Sequence, residues 1–386
     1  MFCFLLFFLL LDNQFPGLYA SRIFGLVDRC WSVDSKTLFL TTAWRSKTEI
    51  LSVEINSGKL TKLTNTDKIH GSWSILDVSA EFVLALFHAP NTPATLKLAR
   101  IEENLNWIEL SKCESIVNID WKILSFRRQA ILEEREENVN QPYEALLVLP
   151  KTGDDLPIIS LLHGGPHSVS LAGWSFPVAF FVKLGYAVLS VNFRGSIGFG
   201  EKFINSIAGN IGLIDVNDCQ YATEELIKNE RRLNGSKVFA YGGSHGGFLA
   251  GHLIGQFPNF YRAAVLRNPI LDAAALVSTS DIPDWNFVEG LGAKFKSSHV
   301  MTPEEQTKLY QRSPIFYVSQ VKNPVMLIMG EKDGQVVPHF MPFWRNLRSR
   351  GVTCRVLTYP ESNHPLNEVN IEADHLINSA LFLGKL

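Results

Sequence analysis

The second half of the chain, from about residue 141, alternates short apolar runs with segments of helical periodicity. The apolar runs cover residues 145–149, 158–162, 187–191, 238–241, 263–266, 325–329 and 354–358. Helical patterns lie between or after them, for example over residues 218–229, 343–349 and 371–382. Nearly continuous apolar runs are typical of parallel strands covered by helices on both faces. The pattern therefore predicts an α/β fold with a doubly wound, mostly parallel sheet over residues 141–386.

Residues 21–140 have a different pattern, in which short β-rich runs are separated by turns. Such runs cover residues 38–42, 49–55, 59–63, 82–88 and 95–99. The segment from Trp31 to Ser35 resembles a turn that recurs in β-propeller blades. Hairpins at this spacing indicate one or two blades. A small sandwich or meander is the alternative.

The expected propeller segment is incomplete, because one or two blades cannot close a ring. An open propeller leaves strand edges bare, and bare edges invite pairing with other chains. We therefore expect the remaining blades to come from elsewhere, or the sequence to be part of a longer protein.

The first 20 residues form an apolar N-terminal segment, in which Met1 to Leu11 is almost wholly hydrophobic. This run is too short to span a bilayer. It also lacks the positively charged start of a secretory signal peptide. A buried strand or a start codon placed inside a longer gene fits the pattern, and the signal peptide of a secreted protein is the alternative.

The composition of the chain excludes several function classes. Of the 386 residues, 46% are hydrophobic and 19% are charged, as in ordinary globular proteins. The net charge is −2 without a basic stripe, so we expect no nucleic-acid partner and no membrane partner. The five cysteines are scattered without a CxxC pair, which indicates reduced thiols in a cytoplasmic protein and no metal site.

A glycine-flanked serine, Ser244, lies between a strand pattern and a helix pattern. Gly242 and Gly246 stand two residues to either side of it. A serine in such a strand–turn–helix is held in a sharp turn that exposes its hydroxyl, and only small flanking residues let the strand and helix approach. A hydroxyl is a poor nucleophile until a base activates it. The motif therefore predicts a serine nucleophile whose base lies elsewhere in the chain.

Asp333 and His364 supply a candidate acid and base, in the chain order serine, aspartate, histidine. Each follows a predicted strand, the runs 325–329 and 354–358. Loops after parallel strands meet at one edge of the sheet, where α/β-hydrolases carry these groups. His364 would take the proton from Ser244, and Asp333 would orient and stabilise the imidazole. A turn cap for Asp333 and a surface position for His364 are the alternatives.

The predicted reaction also needs groups that stabilise negative charge. The main-chain N–H of His245, the residue after the nucleophile, is one donor, and its side chain has no assigned role. The glycines of residues 163–167 let another main-chain N–H approach, and we favour Gly165 as the second oxyanion donor. Arg267 ends a predicted strand at the same edge. It either binds a substrate carbonyl or carboxylate or forms a structural salt bridge.

Several stretches of the second half resemble the prolyl oligopeptidase family of serine peptidases. They are His163 to Ser168, Gly185 to Ser196, Gly242 to Phe248, Arg267 to Ile270 and Ser280 to Trp285. The last two are more specific than the triad, and they resemble the branch of the family that releases N-acylated amino acids. The resemblance covers nearly all of residues 143–386.

The resemblance implies a serine exopeptidase that hydrolyses N-acylated amino acids, for example N-acetylated ones, from the N-terminus of short peptides. It implies Ser244, Asp333 and His364 as the triad, no cofactor, a cytoplasmic location and a homo-oligomer such as a tetramer. The chain departs from the family pattern because it holds only the last part of the propeller. Another peptidase or esterase of the same fold, or a catalytically silent remnant, are the alternatives.

Overall fold

The computed structural model describes residues 15–19, 26–64, 70–102, 105–111, 113–127, 142–336 and 339–386. The apolar run from Met1 to Leu11 lies outside the described residues, so its interpretation stays a prediction. The described residues form two small antiparallel sheets followed by one large sheet with helices around it.

The two small sheets are built from strands that pair in sequence order. The first contains β1 (Thr37–Trp44), β2 (Lys47–Glu54) and β3 (Leu60–Lys62), and the second contains β4 (Ser72–Val78), β5 (Phe82–Ala89), β6 (Thr92–Arg100) and β7 (Trp107–Glu109). Each strand runs antiparallel to the next within its sheet. A four-stranded antiparallel sheet is the unit of a propeller blade. Ile50 and Trp73 share one core, which joins the two sheets. The predicted partial-propeller segment is confirmed.

The large sheet has eight strands, six of them parallel. Its strands are β8 (Ile119–Phe126), β9 (Tyr143–Pro150), β10 (Leu156–Leu162), β11 (Ala187–Asn192), β12 (Leu233–Gly243), β13 (Ala263–Arg267), β14 (Val325–Gly330) and β15 (Cys354–Tyr359). Their order is β15-β14-β13-β12-β10-β11-β9-β8, with β8 and β9 antiparallel to their neighbours. The predicted doubly wound, mostly parallel α/β fold is confirmed. Strand β8 precedes residue 141, and the domain limits 1–20, 21–140 and 141–386 stay predictions.

Helices cover both faces of the large sheet. They are α1 (Phe176–Lys183), α2 (Glu201–Asn205), α3 (Ile214–Asn229), α4 (His245–Gln256), α5 (Ala273–Leu276), α6 (Pro283–Trp285), α7 (Pro303–Gln311), α8 (Pro314–Tyr317), α9 (Met341–Ser349) and α10 (Val369–Leu383), with a π-helix at Asn286–Leu291 and a 3₁₀ turn at Val318–Gln320. No helix within the described ranges is long and apolar enough to cross a bilayer.

Side chains of successive strand residues point to opposite faces of the sheet, and each face has its own core. Ala240 and Leu266 pack with α3 and α4 on one face, whereas Tyr241 and Val265 pack with α1 and α10 on the other. Both faces of the central strands are thus buried, as their continuous apolar runs predict.

The turn between β1 and β2 anchors the small sheets to the large one. Glu144 of β9 accepts hydrogen bonds from Arg45 Nε at 2.6 Å and from the Ser46 hydroxyl at 2.7 Å. The Asn192 side-chain amide donates to the same hydroxyl at 2.9 Å. Asn192 is the last residue of β11, so this contact lies at the edge where the parallel strands end. We refer to Arg45, Ser46, Glu144 and Asn192 as the seam.

Candidate active site

The serine of the glycine-flanked motif lies at a sharp junction between β12 and α4. Ser244 has φ 58° and ψ −124°, a backbone conformation that residues with a side chain rarely adopt. A Cβ on Gly242 would lie 2.1 Å from the Gly246 carbonyl oxygen, and a Cβ on Gly246 would lie 2.0 Å from the Leu162 carbonyl oxygen. Only glycine fits at both positions, which explains the spacing of the motif.

The structure brings the predicted acid and base together. His364 Nδ1 lies 2.7 Å from Asp333 Oδ2. The other oxygen of Asp333 accepts hydrogen bonds from the main-chain N–H groups of Gln335 and Val336, both at 2.9 Å. The Asp333 carboxylate is buried, and the His364 side chain keeps 16% exposure. The imidazole is therefore held through Nδ1, and its Nε2 is left for chemistry.

Asn268 links the loops that carry these two residues. Its side-chain amide donates to the His364 carbonyl oxygen at 2.9 Å, and its side-chain oxygen accepts from the Gly330 N–H at 2.8 Å. Its φ is 36°, in the left-handed region that asparagine tolerates better than most residues. Sequence reasoning gave Asn268 no role, because both of its partners are more than 60 residues away along the chain.

Ser244 and His364 line one cavity of about 370 Å³. Gly164, Tyr241 and Arg267 also line it. Asp333 joins this group through its hydrogen bond to His364. Residues 244, 333 and 364, which are far apart in the chain, thus meet around a single cavity.

The glycine loop after β10 packs directly against the serine. A Cβ on Gly164 would lie 3.3 Å from Ser244 Cβ. The Gly164 carbonyl oxygen lies 2.9 Å from His163 Nδ1, which donates because a carbonyl oxygen can only accept. Burial lowers the pKa of His163 to about 4, so its ring is neutral. In a planar trans peptide the next N–H points opposite to the carbonyl, so the Gly165 N–H points away from His163. Trp285 Nε1 donates to the Gly165 carbonyl oxygen at 2.9 Å.

The side chain of His245 forms a buried pair that sequence reasoning missed. Its Nε2 lies 2.9 Å from Asp215 Oδ2, and both side chains are fully buried. Its ring packs against Phe248 and Trp285. The pair fixes the first turn of α4, whose N–H groups include the predicted oxyanion donor of His245. Asp215 lies 30 residues earlier, on α3, and no local motif marks it.

Arg267 lies at the cavity, as expected for the last residue of β13. Its Nη2 donates to the Pro365 carbonyl oxygen at 3.3 Å, and its buried Nε makes no hydrogen bond. Within the described part of the chain it forms no ion pair, so the salt-bridge alternative has no partner there. The same part of the chain contains no group of three or more histidine, cysteine, aspartate or glutamate side chains arranged to hold a metal ion.

Comparison with known proteins assigns the chain to a family. Residues 173–384, more than half of the chain, match the model of the prolyl oligopeptidase family. The chain belongs to the prolyl oligopeptidase family. Residues 8–123 match the model of the N-terminal domain of acylamino-acid-releasing enzymes.

Within the prolyl oligopeptidase family, the chain is similar to acylamino-acid-releasing enzymes of mammals. It is 38% identical to the human enzyme over 387 residues and 36% identical to the rat enzyme over 382 residues. Both matches cover 97% of this chain and 51% of the relative. The chain therefore spans about half the length of the curated relatives it matches.

A solved structure of the family has the same fold. The acylaminoacyl peptidase of Pyrococcus horikoshii superposes with a TM-score of 0.74 at 18% sequence identity, covering 90% of this chain and 53% of that one. At this identity the likeness extends to the fold, and the roles of individual side chains depend on the geometry described above.

Proposed function

We propose that the chain acts as a serine exopeptidase that removes N-acylated amino acids from short peptides. The observation that carries this proposal is the His364–Asp333 hydrogen bond of 2.7 Å at the cavity that Ser244 lines. A nucleophile, a base and an orienting carboxylate at one cavity are the groups that acyl transfer requires.

The proposed reaction has two halves. In the first, His364 Nε2 takes the proton from the Ser244 hydroxyl while the oxygen attacks the carbonyl carbon of the scissile bond. The resulting imidazolium, stabilised by Asp333, gives that proton to the leaving nitrogen, and an acyl-enzyme remains. In the second, water loses a proton to His364 and attacks the ester carbonyl. Ser244 recovers its proton and the N-acylated amino acid leaves.

The main-chain N–H groups of His245 and Gly165 are proposed to hold the oxyanion of each tetrahedral intermediate. The contact of Gly164 with Ser244 brings the glycine loop within reach. The His163 hydrogen bond fixes the Gly164 carbonyl group, and thereby the direction of the Gly165 N–H, and the Trp285 hydrogen bond holds the Gly165 carbonyl group. The loss of one such donor typically slows turnover about 10²–10³-fold.

The choice of substrate rests on the relatives. The human and rat proteins are named acylamino-acid-releasing enzymes, and this chain aligns with them over 97% of its length. Short N-acylated peptides are therefore the proposed substrates, and no organic cofactor or metal is required for acyl transfer by this route.

A cytoplasmic location and a homo-oligomeric state are further proposals. The four cysteines that the structure describes are free thiols, which fits a reducing compartment. The strand β3 lies at the end of its sheet, where a second chain can pair with it.

The test is the substitution Ser244→Ala, with Ser236→Ala as the matched control at the far end of the same strand. Labelling by a fluorophosphonate probe and hydrolysis of N-acetyl-alanyl p-nitroanilide are measured for both variants. We expect Ser244→Ala to lose labelling and to lower kcat by about 10⁴-fold or more. Ser236→Ala should match the wild type. Undiminished turnover in Ser244→Ala would refute the proposal.

A further inference from the structure

The guanidinium of Arg267 is a half-buried cation beside the nucleophile. A Cβ on Gly243 would lie 3.5 Å from its Nε and Nη2 atoms, so the guanidinium packs against the main chain just before Ser244. Its hydrogen bond to the Pro365 carbonyl oxygen carries no compensating charge. Among the described residues no carboxylate pairs with it. Because charges taken out of water are normally paired, Arg267 has the electrostatics of an anion-binding group.

Two polar neighbours of Arg267, Tyr241 and His375, are neutral. Burial raises the pKa of the Tyr241 hydroxyl, so the hydroxyl stays protonated and uncharged at neutral pH. Burial and the nearby guanidinium lower the pKa of His375 to about 4, so its ring is uncharged at neutral pH. The acid next to it in sequence, Asp374, accepts a hydrogen bond from the Tyr359 hydroxyl. Neither neutral group offsets the positive charge of Arg267, and within the described residues neither acidic side chain of α10 forms an ion pair with it.

The position of Arg267 fixes which end of a substrate it can reach. His364 gives its proton to the leaving nitrogen, so the leaving residue extends past His364. Arg267 is bonded to Pro365, the residue after His364, and lines the same cavity as Ser244. These contacts support a position on the leaving-group side. One extended residue spans about 3.5 Å, so a single leaving residue keeps its terminal carboxylate close to the guanidinium.

We propose that Arg267 binds the C-terminal carboxylate of a one-residue leaving group, so that the cavity selects N-acyl dipeptides with a free carboxylate. The inference rests on the proposed function and names its substrate class. A guanidinium binds a carboxylate through two parallel hydrogen bonds. A dipeptide whose C-terminus is an amide lacks the negative charge of the carboxylate.

The first test compares N-acetyl-Ala-Ala with N-acetyl-Ala-Ala amide on the wild-type protein. The two substrates share the scissile bond and differ in the terminal charge. We expect kcat/KM to favour the acid by about tenfold or more, the value of one charge-assisted hydrogen bond. Equal kcat/KM values would overturn the inference.

The second test replaces the cation by Arg267→Met, with Arg231→Met in the exposed turn before β12 as the matched control for loss of one charge. Arg267→Met should lower kcat/KM for the acid more than for the amide, so that the preference for the acid is lost. Arg231→Met should keep the preference. A preference that survives in Arg267→Met contradicts the assignment.

A binding experiment separates this inference from the proposed function. In the Ser244→Ala background, titration calorimetry measures the Kd of the acid and of the amide without turnover. Tighter binding of the acid than of the amide, lost when Arg267→Met is added, supports the carboxylate site. If the wild type then hydrolyses neither compound, only the peptidase proposal is rejected. Equal Kd values reject the carboxylate site whatever the turnover.

Discussion

At the scale of single residues, the carboxylate of Asp333 is held on both of its oxygens. Oδ1 accepts two main-chain N–H groups, and Oδ2 faces His364 Nδ1. The carboxylate cannot rotate without losing these bonds, so the imidazole has one favoured tautomer, with the proton on Nδ1. The orientation of the His364 ring is therefore set by the loop after β14.

The substitution Asp333→Asn tests this role. An asparagine fits the same space, but its amide group can donate to Nδ1 and stabilise the wrong tautomer of His364. We expect kcat to fall by about 10⁴-fold while the far-ultraviolet circular dichroism stays unchanged. Asp120→Asn, at an exposed position of β8, serves as the control. Near-normal turnover in Asp333→Asn would show that the carboxylate only caps the turn.

The sequence indicates the site residues that lie in motifs and misses those defined by distant contacts. Ser244 is marked by its glycines, and Asp333 and His364 follow recognisable strands. Asn268 and the Asp215–His245 pair have no such signal, since each acts through partners 30 or more residues away. Their roles depend on tertiary packing, which local patterns do not specify.

At the scale of elements, α4 lies unusually close to its neighbours. A Cβ on Gly247 would lie 2.8 Å from Pro269 Cβ, and a Cβ on Gly251 would lie 2.9 Å from Pro314 Cβ. A glycine in a helix is about 1 kcal/mol less favourable than an alanine. The glycines of α4 therefore lower its intrinsic helix stability, and they allow close packing. The packing holds the helix N-terminus, and with it Ser244, at the edge of the sheet.

Gly251→Ala separates these two effects. Helix propensity alone predicts that the substitution stabilises the folded protein. The contact with Pro314 predicts that α4 and α8 must move apart, which destabilises it. We expect the contact to dominate and the free energy of unfolding in urea to fall by about 1–3 kcal/mol. If Gly251→Ala is as stable as the wild type or more stable, α8 can shift away from the added methyl group at little cost in free energy.

The elements of the large sheet were predictable where their residues are continuously apolar, as in β14. Strand β8 was not predicted, because it lies at an edge of the sheet and alternates exposed and half-buried residues. The π-helix Asn286–Leu291 was also missed, since its buried polar residues, Asn286 and Glu289, do not follow an apolar helical pattern.

At the scale of the whole molecule, several buried histidines couple folding to pH. Burial lowers the pKa of His163 and His252 to about 4, and burial with Arg267 does the same for His375. His252 Nε2 donates to the Arg312 carbonyl oxygen and its Nδ1 accepts from Gln256, which satisfies the neutral ring. The folded state therefore binds fewer protons than the unfolded chain between about pH 6.5 and 4.

From this difference we expect the free energy of unfolding to fall as the pH drops through that window. Each such histidine contributes a slope of up to about 1.4 kcal/mol per pH unit. His252→Gln should reduce the slope by up to that amount, and His70→Gln, at an exposed residue, is the control. Urea denaturation at several pH values measures both, and identical slopes in wild type and His252→Gln would contradict the expectation.

The seam couples the small sheets to the large one. Glu144→Ala leaves Ser46, which is buried, without its acceptor, and this should weaken the contact by about 1–3 kcal/mol. We expect faster amide hydrogen exchange in β1 and β2 with little change in β12 and β14. Glu144→Gln keeps one acceptor oxygen and should give an intermediate result. Unchanged exchange in Glu144→Ala would show that apolar packing alone holds the sheets.

The backbone of Ser244 has a practical consequence for protein engineering. Its positive φ raises the energy of the folded state by about 1–3 kcal/mol relative to a relaxed residue, and glycine at that position would avoid the strain. A library sorted only for yield would therefore enrich glycine at 244 and accumulate well-folded, inert clones. Directed evolution of this chain should score expression and turnover in the same round.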